Sequence, residues 1–132
     1  MKRIVWLILF LIVIAGSALI IDNSPKEHIT YNDQYDDVFN PKEFLKAARD
    51  GDLIKVEFFI VHNINPNVTN TDGRTALYYA ALEKNYEIGN LLLDNNADPN
   101  IKDYYEGSPL TIAKGYNDQK LIEILVNKGA ID

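Results

Sequence analysis

The stretch TDGRTALYYAA, residues 71–81, joins a short polar turn directly to an apolar run rich in tyrosine. Gly73 gives the turn the backbone freedom that a tight reversal needs, and Thr75 is a residue type that caps the N-terminus of a helix. Leu77 is followed at the third and fourth positions by alanines, which is the spacing of one helical face. The stretch therefore predicts a turn, a cap and a helix with a narrow face that another helix can approach closely.

The pattern of this stretch recurs along the chain with a fixed period. Thr75 aligns with Ser108 in the C-terminal direction, and Ala80 aligns with Ala47 in the N-terminal direction. Self-similarity at a period of this size is typical of repeat proteins, in which each repeat is one supersecondary unit. Three units are visible, at about residues 37–69, 70–102 and 103–132.

Each unit carries a second apolar segment after a short break. In the second unit, Ile88, Leu91 and Leu92 have helical spacing. Asn96 follows as a residue that tolerates the left-handed backbone of a helix end. The equivalent positions in the other units hold Asn63 and Gly129. A pair of short helices cannot bury its apolar faces alone, so the pattern predicts helix pairs that stack into a solenoid.

The period, the paired helices and the segments TALYYAA, SPLTIA and KGAID resemble the ankyrin repeat. The usual motif of that family reads Gly-x-Thr-Pro-Leu-His-x-Ala-Ala. This chain matches it at Gly73, Thr75, Leu77, Ala80 and Ala81. Ala76 replaces the proline and Tyr78 the histidine. The resemblance covers residues 37–132 and implies an all-α solenoid of three helix-turn-helix repeats with short finger turns. The apolar run before it separately predicts an N-terminal hydrophobic helix.

The first and third units depart from the motif. The first lacks the Thr-Pro-Leu-His signature and keeps AARDGDLIKVEFFI, which suits a repeat that caps the N-terminal end of a solenoid. In the third unit, Ser108 and Pro109 match the motif. Glu106, however, stands where the turn glycine is expected, and Gly107 follows it. We therefore expect a distorted turn before the third helix pair.

Residues 1–21 form a separate N-terminal segment, in which Lys2 and Arg3 precede an apolar run, residues 4–21. In one interpretation, small residues end a signal peptide, and cleavage after residue 18 leaves a periplasmic or secreted protein. In the other, the run remains as a transmembrane signal anchor of about 27 Å at 1.5 Å per residue. Both interpretations keep the positive residues in the cytoplasm and place the repeats on the other side of the membrane.

The rest of the chain is acidic. Residues 22–36 are typical of an acidic linker, because they show no sustained apolar period. Without Lys2 and Arg3, 11 basic residues stand against 19 acidic ones, a net charge of −8. Such a body does not attract nucleic acid or an anionic lipid surface. The charge indicates a protein partner with a basic or neutral surface, and membrane contact only through residues 4–21 if they are not cleaved.

Residues that could carry catalysis or bind a metal do not form a pattern. The chain has no cysteine, which excludes disulfides, thiolate metal sites and a cysteine nucleophile. His28 and His62 have no second ligand at metal-binding spacing, and no phosphate-binding loop or nucleophile elbow is present. The adjacent acids Asp36 and Asp37 are best explained as solvated charge. The sequence predicts no catalytic residue, metal site or cofactor.

The resemblance implies a binding surface made of the finger tips and the first helix of each repeat. Carried over residue by residue, it comprises Thr71, Asp72, Arg74, Tyr79, Leu82, Glu83, Tyr104, Tyr105 and Glu106. Two adjacent tyrosines at the tip of a turn exceed any packing need, and exposed aromatic side chains are good contact residues. Leu82 is expected to be partly exposed. Tyr78 and Tyr86 are instead expected to pack, with their hydroxyl groups in water.

The chain is thus predicted to be a non-catalytic protein–protein interaction module, displayed outside the cytoplasm, that binds or neutralises an exported protein. The alternative is a structural accessory subunit of a membrane. In that case the N-terminal helix would associate with other helices, and the repeats would act as a self-association surface.

Overall fold

A computed structural model describes residues 40–132 as three consecutive helix pairs. The helices are α1 (Pro41–Asp50), α2 (Leu53–Val61), α3 (Ala76–Leu82), α4 (Tyr86–Asp94), α5 (Pro109–Gly115) and α6 (Gln119–Asn127). No strand occurs in this part of the chain. The predicted all-α repeat solenoid is confirmed. The N-terminal hydrophobic helix and the acidic linker were predicted for residues that lie outside the described range.

Polar side chains start every helix. Thr75 and Ser108 cap α3 and α5, as predicted, and their hydroxyl oxygens accept hydrogen bonds from the amides of Tyr78 and Thr111. The second helices of the pairs are capped at positions that again follow the repeat period, by Asp52, Asn85 and Asp118. The cap residues therefore fix where each helix begins in every repeat.

Left-handed backbone follows the same period. Eight residues in the described range have positive φ, and they occupy only three positions of the repeat. One is the finger turn (Gly73, Glu106), one is the link inside each helix pair (Gly51, Lys84, Asn117), and one is the end of the second helix (Asn63, Asn96, Gly129). The repeats thus share one backbone path even where their residue types differ.

The turn before the third helix pair is not distorted, contrary to the expectation from Glu106. Glu106 adopts φ 64°, close to the 81° of Gly73 at the equivalent position. Asp103 N–H donates to Gly107 O at 2.8 Å, as Asn70 N–H donates to Arg74 O at 3.1 Å in the second unit. The turn keeps its shape because its hydrogen bonds outweigh the cost of left-handed backbone at a glutamate.

The first helices of the three pairs lie side by side, with α3 packed between α1 and α5. Six consecutive residues of α3, from Ala76 to Ala81, are buried, as a central helix with neighbours on two sides requires. Alanines at 47, 48, 80, 81 and 113 allow this close approach. In the first repeat the core is aromatic, since the rings of Phe44 and Phe59 meet edge to face at 5.6 Å between centroids.

Two asparagines join the loops of successive repeats. The Asn67 side chain accepts from Asp98 N–H at 2.8 Å and donates to Asn96 O at 3.4 Å. Asn100, at the equivalent position of the next repeat, accepts from Ile131 N–H at 2.9 Å and donates to Gly129 O at 3.0 Å. We call this pair of bridges the asparagine ladder.

Tyr78 and Tyr86 pack between repeats, as expected, but each hydroxyl group lies near a carboxylate of the third repeat. Tyr86 OH donates to Asp118 Oδ2 at 2.9 Å, and this hydrogen bond raises the pKa of Tyr86. Burial raises the pKa of Tyr78, and the nearby Asp103 carboxylate raises it further. The Tyr86 hydrogen bond therefore joins the second repeat to the third.

None of the six helices in residues 40–132 has the length and apolar character that crossing a membrane requires.

Candidate protein-binding surface

The second and third finger turns, residues 70–74 and 103–107, lie next to each other. Tyr104 N–H donates to Asp72 O at 2.9 Å, which joins the backbones of the two turns. A side chain on Gly73 would come within 3.2 Å of the Tyr104 ring, so the ring rests against this glycine. The predicted finger residues are thus brought together on one surface.

Asp103 is the buried centre of this pair of turns. Its side chain is 2% exposed, and its Oδ1 accepts from the amides of Tyr105 at 3.0 Å and Gly107 at 2.7 Å. Its Oδ2 accepts from Arg74 Nε at 3.3 Å. Burial by itself raises the pKa of Asp103, but the hydrogen bonds from Gly107, Tyr105 and Arg74 hold it below the ordinary value. The third finger is therefore built around a buried carboxylate.

Arg74 contacts this carboxylate and is also partly exposed. Its guanidinium group lies between Asp103 and Asp72, with Nη1 at 3.5 Å from Asp72 Oδ2, and over the Tyr78 ring at 5.2 Å from the centroid. The Asp103 hydrogen bond raises the pKa of Arg74. Arg74 remains 29% exposed, so it braces the two fingers and still presents part of its surface.

Tyr104 and Tyr105 are displayed, as predicted. Their exposed fractions are 76% and 78%, which is unusual for tyrosines in an ordered turn. The turn beneath them is fixed by Asp103, so both rings are held on rigid backbone. Glu106 and Thr71 are also exposed, and Glu106 forms an ion pair with Lys102 at 3.1 Å.

The predicted helix residues differ in exposure. Leu82 is half-buried, as expected, and Glu83, the C-cap of α3, is exposed. Tyr79 is 9% exposed, and its hydroxyl accepts a hydrogen bond from Asn70 Nδ2 at 2.9 Å. Tyr79 therefore contributes to the surface less than the resemblance implied, and it supports the second finger from beneath.

Beside Tyr79 the structure contains a groove of about 720 Å³ between α1 and the second finger. The lining residues are Lys42, Leu45, Lys46, Arg49, Thr69, Asn70, Thr71 and Tyr79. Only Thr71 and Tyr79 belong to the set predicted from the sequence. The repeat period could have identified two of the missed lining residues. Lys46 and Arg49 stand one repeat before Tyr79 and Leu82, at the equivalent positions of the first unit.

The groove is basic, although the chain as a whole is acidic. Lys42, Lys46 and Arg49 line it, and none of the lining residues is acidic. Asp50 pairs with Lys46 at 2.6 Å and with Arg49 at 3.4 Å, and the first contact raises the pKa of Lys46. Glu43 pairs with Lys55 of α2 at 3.0 Å. Local charge at the groove is therefore opposite to the net charge.

The described residues contain no group of three or more histidine, aspartate or glutamate side chains arranged to hold a metal ion. The surface offers aromatic rings, hydrogen-bonding groups and cations.

Comparison with known proteins agrees with this architecture. A family model described as ankyrin repeats (3 copies) matches residues 19–103 and, in a second match, residues 44–132. An ankyrin repeat protein of fowlpox virus (strain NVSL) is 35% identical over 88 residues, which is 66% of this chain and 13% of the viral protein. An ankyrin repeat protein of Acanthamoeba polyphaga mimivirus is 35% identical over 103 residues, 75% of this chain and 13% of that protein.

A bacterial relative is similar over a comparable length. An ankyrin repeat protein of Escherichia coli (strain K12) is 30% identical over 86 residues, 65% of this chain and 43% of that protein. The chain spans less than half the length of each of these relatives. With a repeat model that matches most of its length and relatives that carry the same repeats, the chain belongs to the ankyrin repeat family, a non-catalytic fold that serves protein–protein interaction.

Proposed function

We propose that the chain is a binding module that holds another protein against its finger turns and first helices. One observation carries the proposal: two adjacent tyrosines, 76% and 78% exposed, stand on a turn that a buried carboxylate makes rigid. Aromatic side chains with few rotatable bonds lose little entropy on binding, and a fixed backbone loses less still. Partner contact is the use that best accounts for apolar surface displayed in this way.

The module is further proposed to work outside the cytoplasm and to bind or neutralise an exported protein. Support comes from the sequence alone, since Lys2 and Arg3 precede the apolar residues 4–21, and positive charge is retained in the cytoplasm. A small binder without catalytic groups suits such a role by analogy. The repeats would be tethered to the membrane if the segment is kept, and periplasmic or secreted if it is cleaved.

Partner capture tests the binding proposal. We expect the intact chain, isolated from its native host, to bring down a specific protein. The double substitution Tyr104→Ser and Tyr105→Ser should remove it, because both exposed rings are lost. The matched control is Ile54→Ser with Val61→Ser, which removes apolar residues of similar exposure, 80% and 70%, from α2. A partner that survives the tyrosine change contradicts the proposed surface.

N-terminal sequencing of the mature protein and protease treatment of intact cells test the location. A start after residue 18 supports cleavage, and a retained Met1 with externally digestible repeats supports the anchor. Repeats that still resist protease after the outer envelope has been opened, and are digested only once the cytoplasmic membrane is lysed, would contradict display outside the cytoplasm.

A structural accessory subunit that associates with copies of itself is the second candidate function, and the exposed apolar residues of α2 favour it. Ile54 and Val61 are seven residues apart, two helical turns, and so lie on one face. If this face joins copies of the chain, the intact protein will sediment as a dimer, and Ile54→Ser with Val61→Ser will make it monomeric. A monomeric wild-type protein would eliminate this candidate.

A further inference from the structure

The groove between α1 and the second finger combines a basic wall with an apolar floor. The cations Lys42, Lys46 and Arg49 belong to α1, whereas Leu45 and Tyr79 are buried beneath them. Thr69 and Thr71 add hydroxyl groups from the second finger. A volume of about 720 Å³ accommodates several residues of an extended peptide.

We propose that this groove binds an acidic segment of the partner, with an extended backbone and carboxylates at alternate positions. The proposal rests on the function proposed above, because it names the chemistry of the partner at the same surface. It also reverses the expectation drawn from net charge, which indicated a basic or neutral partner.

The charge pattern supports an anionic occupant. Cations that line a concave site with a low-dielectric floor focus their field into it, even when the rest of the molecule is negative. The acid nearest to these cations, Asp50, pairs with Lys46 and Arg49 in partly exposed contacts. Such exposed ion pairs are weak, so an incoming carboxylate can exchange with Asp50 at little cost.

The spacing of the cations supports an extended occupant. Lys42, Lys46 and Arg49 follow one another at four and three residues, so they share one face of α1 and span about 10 Å along its axis. Alternate side chains of an extended peptide are about 6.6 Å apart and point the same way. Carboxylates on one side of the peptide therefore reach successive cations, and the intervening residues face the fingers.

A polypeptide fits the groove better than a nucleic acid does. A phosphate backbone is uniformly charged along its length and would extend beyond the groove onto a chain in which acidic residues outnumber basic ones. An acidic peptide carries its charge over a short length and can place an apolar side chain over Leu45 and Tyr79.

Fluorescence anisotropy of the intact chain with defined peptides tests this inference. The probe is a labelled eight-residue peptide with glutamate at every second position, one central leucine and serine elsewhere, compared with its glutamine counterpart. We expect the glutamate peptide to bind at least tenfold more tightly at low salt, and its affinity to fall as salt is added. Lys46→Gln with Arg49→Gln should weaken it about tenfold.

Two further variants control the experiment. Lys102→Gln with Lys128→Gln removes the same charge from other exposed ion pairs, with Glu106 and Asp94, and should leave peptide affinity unchanged. Lys46→Glu with Arg49→Glu should reverse the preference, so that a peptide with lysine in place of glutamate binds. Reversed preference shows that a variant is folded and that the groove is the site.

Equal binding of the glutamate and glutamine peptides, or equal loss in the two charge-removing variants, would overturn the inference. Tighter binding of a single-stranded oligonucleotide than of the glutamate peptide would overturn it as well. A captured partner that depends on Tyr104 and Tyr105 but not on Lys46 and Arg49 would refute the acidic-segment inference alone. Failure to capture any partner would count against the proposed function.

Discussion

Glu106 adopts a left-handed backbone conformation that is unfavourable for a glutamate, and the surrounding turn holds it there. Its φ of 64° is left-handed, which costs an L-residue with a side chain about 1–2 kcal/mol. The turn persists because the Asp103 side chain accepts hydrogen bonds from the amides on either side of Glu106. Strain at this position is the consequence of an aspartate-centred turn with a glutamate in the glycine position.

Replacing Glu106 by glycine should stabilise the domain. Relief of left-handed strain exceeds the extra chain entropy of glycine and the loss of the exposed ion pair with Lys102, for a net gain of about 0.5–1 kcal/mol in the free energy of unfolding. Urea denaturation measures it. Gly73→Ala, at the equivalent position in the second turn, should instead lower the free energy of unfolding. A loss of stability in Glu106→Gly would show that the side chain is needed in the turn.

Asp103 makes stability depend on pH in a defined range. Its pKa is lowered in the folded protein from 3.8, so its contribution is present above that value and is lost as pH falls through the lower folded value. Asp103→Asn keeps an oxygen for the turn amides, as Asn70 does in the second finger, but it loses the ion pair with Arg74.

We therefore expect the wild type to be more stable than Asp103→Asn by about 1–2 kcal/mol near pH 6. The difference should shrink below pH 4 as the wild-type carboxylate becomes protonated. Urea unfolding of both proteins between pH 6 and pH 2.5 checks this. A difference that does not change with pH would assign the effect to packing rather than to charge.

At the scale of the element, α3 combines core and surface in seven residues. Leu77 is 1% exposed and lies in the core, whereas Leu82 at the C-terminal end of the helix is half-buried and belongs to the predicted binding surface. The difference arises because α3 is packed between α1 and α5 along its length, while its last residue stands where the helix gives way to the link with α4.

The two leucines should therefore separate stability from binding. Leu77→Ala should lower the free energy of unfolding by about 2–5 kcal/mol, because it leaves a cavity in a closed core. Leu82→Ala should cost less than about 1 kcal/mol and should weaken partner capture. Thermal unfolding and capture with the two variants measure this. If Leu82→Ala captures the partner as fully as the wild type does, Leu82 is not part of the binding surface.

The elements were predictable from sequence where period and local chemistry agree. Thr75 and Ser108 indicate the helix starts, and the alanine pair indicates the close helix face. Exposure of Tyr104 and Tyr105 followed from their place at a turn tip. The burial of Tyr79 did not, because it depends on the packing of α3 between α1 and α5, and its hydroxyl meets Asn70, nine residues away. The basic groove was not predicted because net charge averages over the whole chain, whereas the electrostatic potential at a binding site is set mainly by nearby charges.

At the scale of the whole molecule, the asparagine ladder connects each repeat to the next through one side chain. Asn67 holds the amide of Asp98, and Asn100 holds the amide of Ile131. The same contact thus recurs at both junctions between repeats.

Substituting one asparagine should loosen one junction and spare the other. In Asn100→Ala, the amide of Ile131 loses its acceptor and should exchange hydrogen about tenfold faster or more, whereas the amide of Asp98 should be unaffected. Asn67→Ala should show the reverse. Residue-resolved hydrogen exchange by NMR checks both, and equal effects at the two amides would mean that the junctions are not independent.

Side-by-side packing of α1, α3 and α5 has a mechanical consequence. Each first helix packs against the second helix of its own pair and against the first helices of the adjacent repeats. The repeats therefore form a row in which each junction adds stability. A pulling force on the ends should peel repeats away in steps, each releasing about 110 Å of extended chain. A protein held at one end and bound to a partner at the other would lengthen under load before it let go.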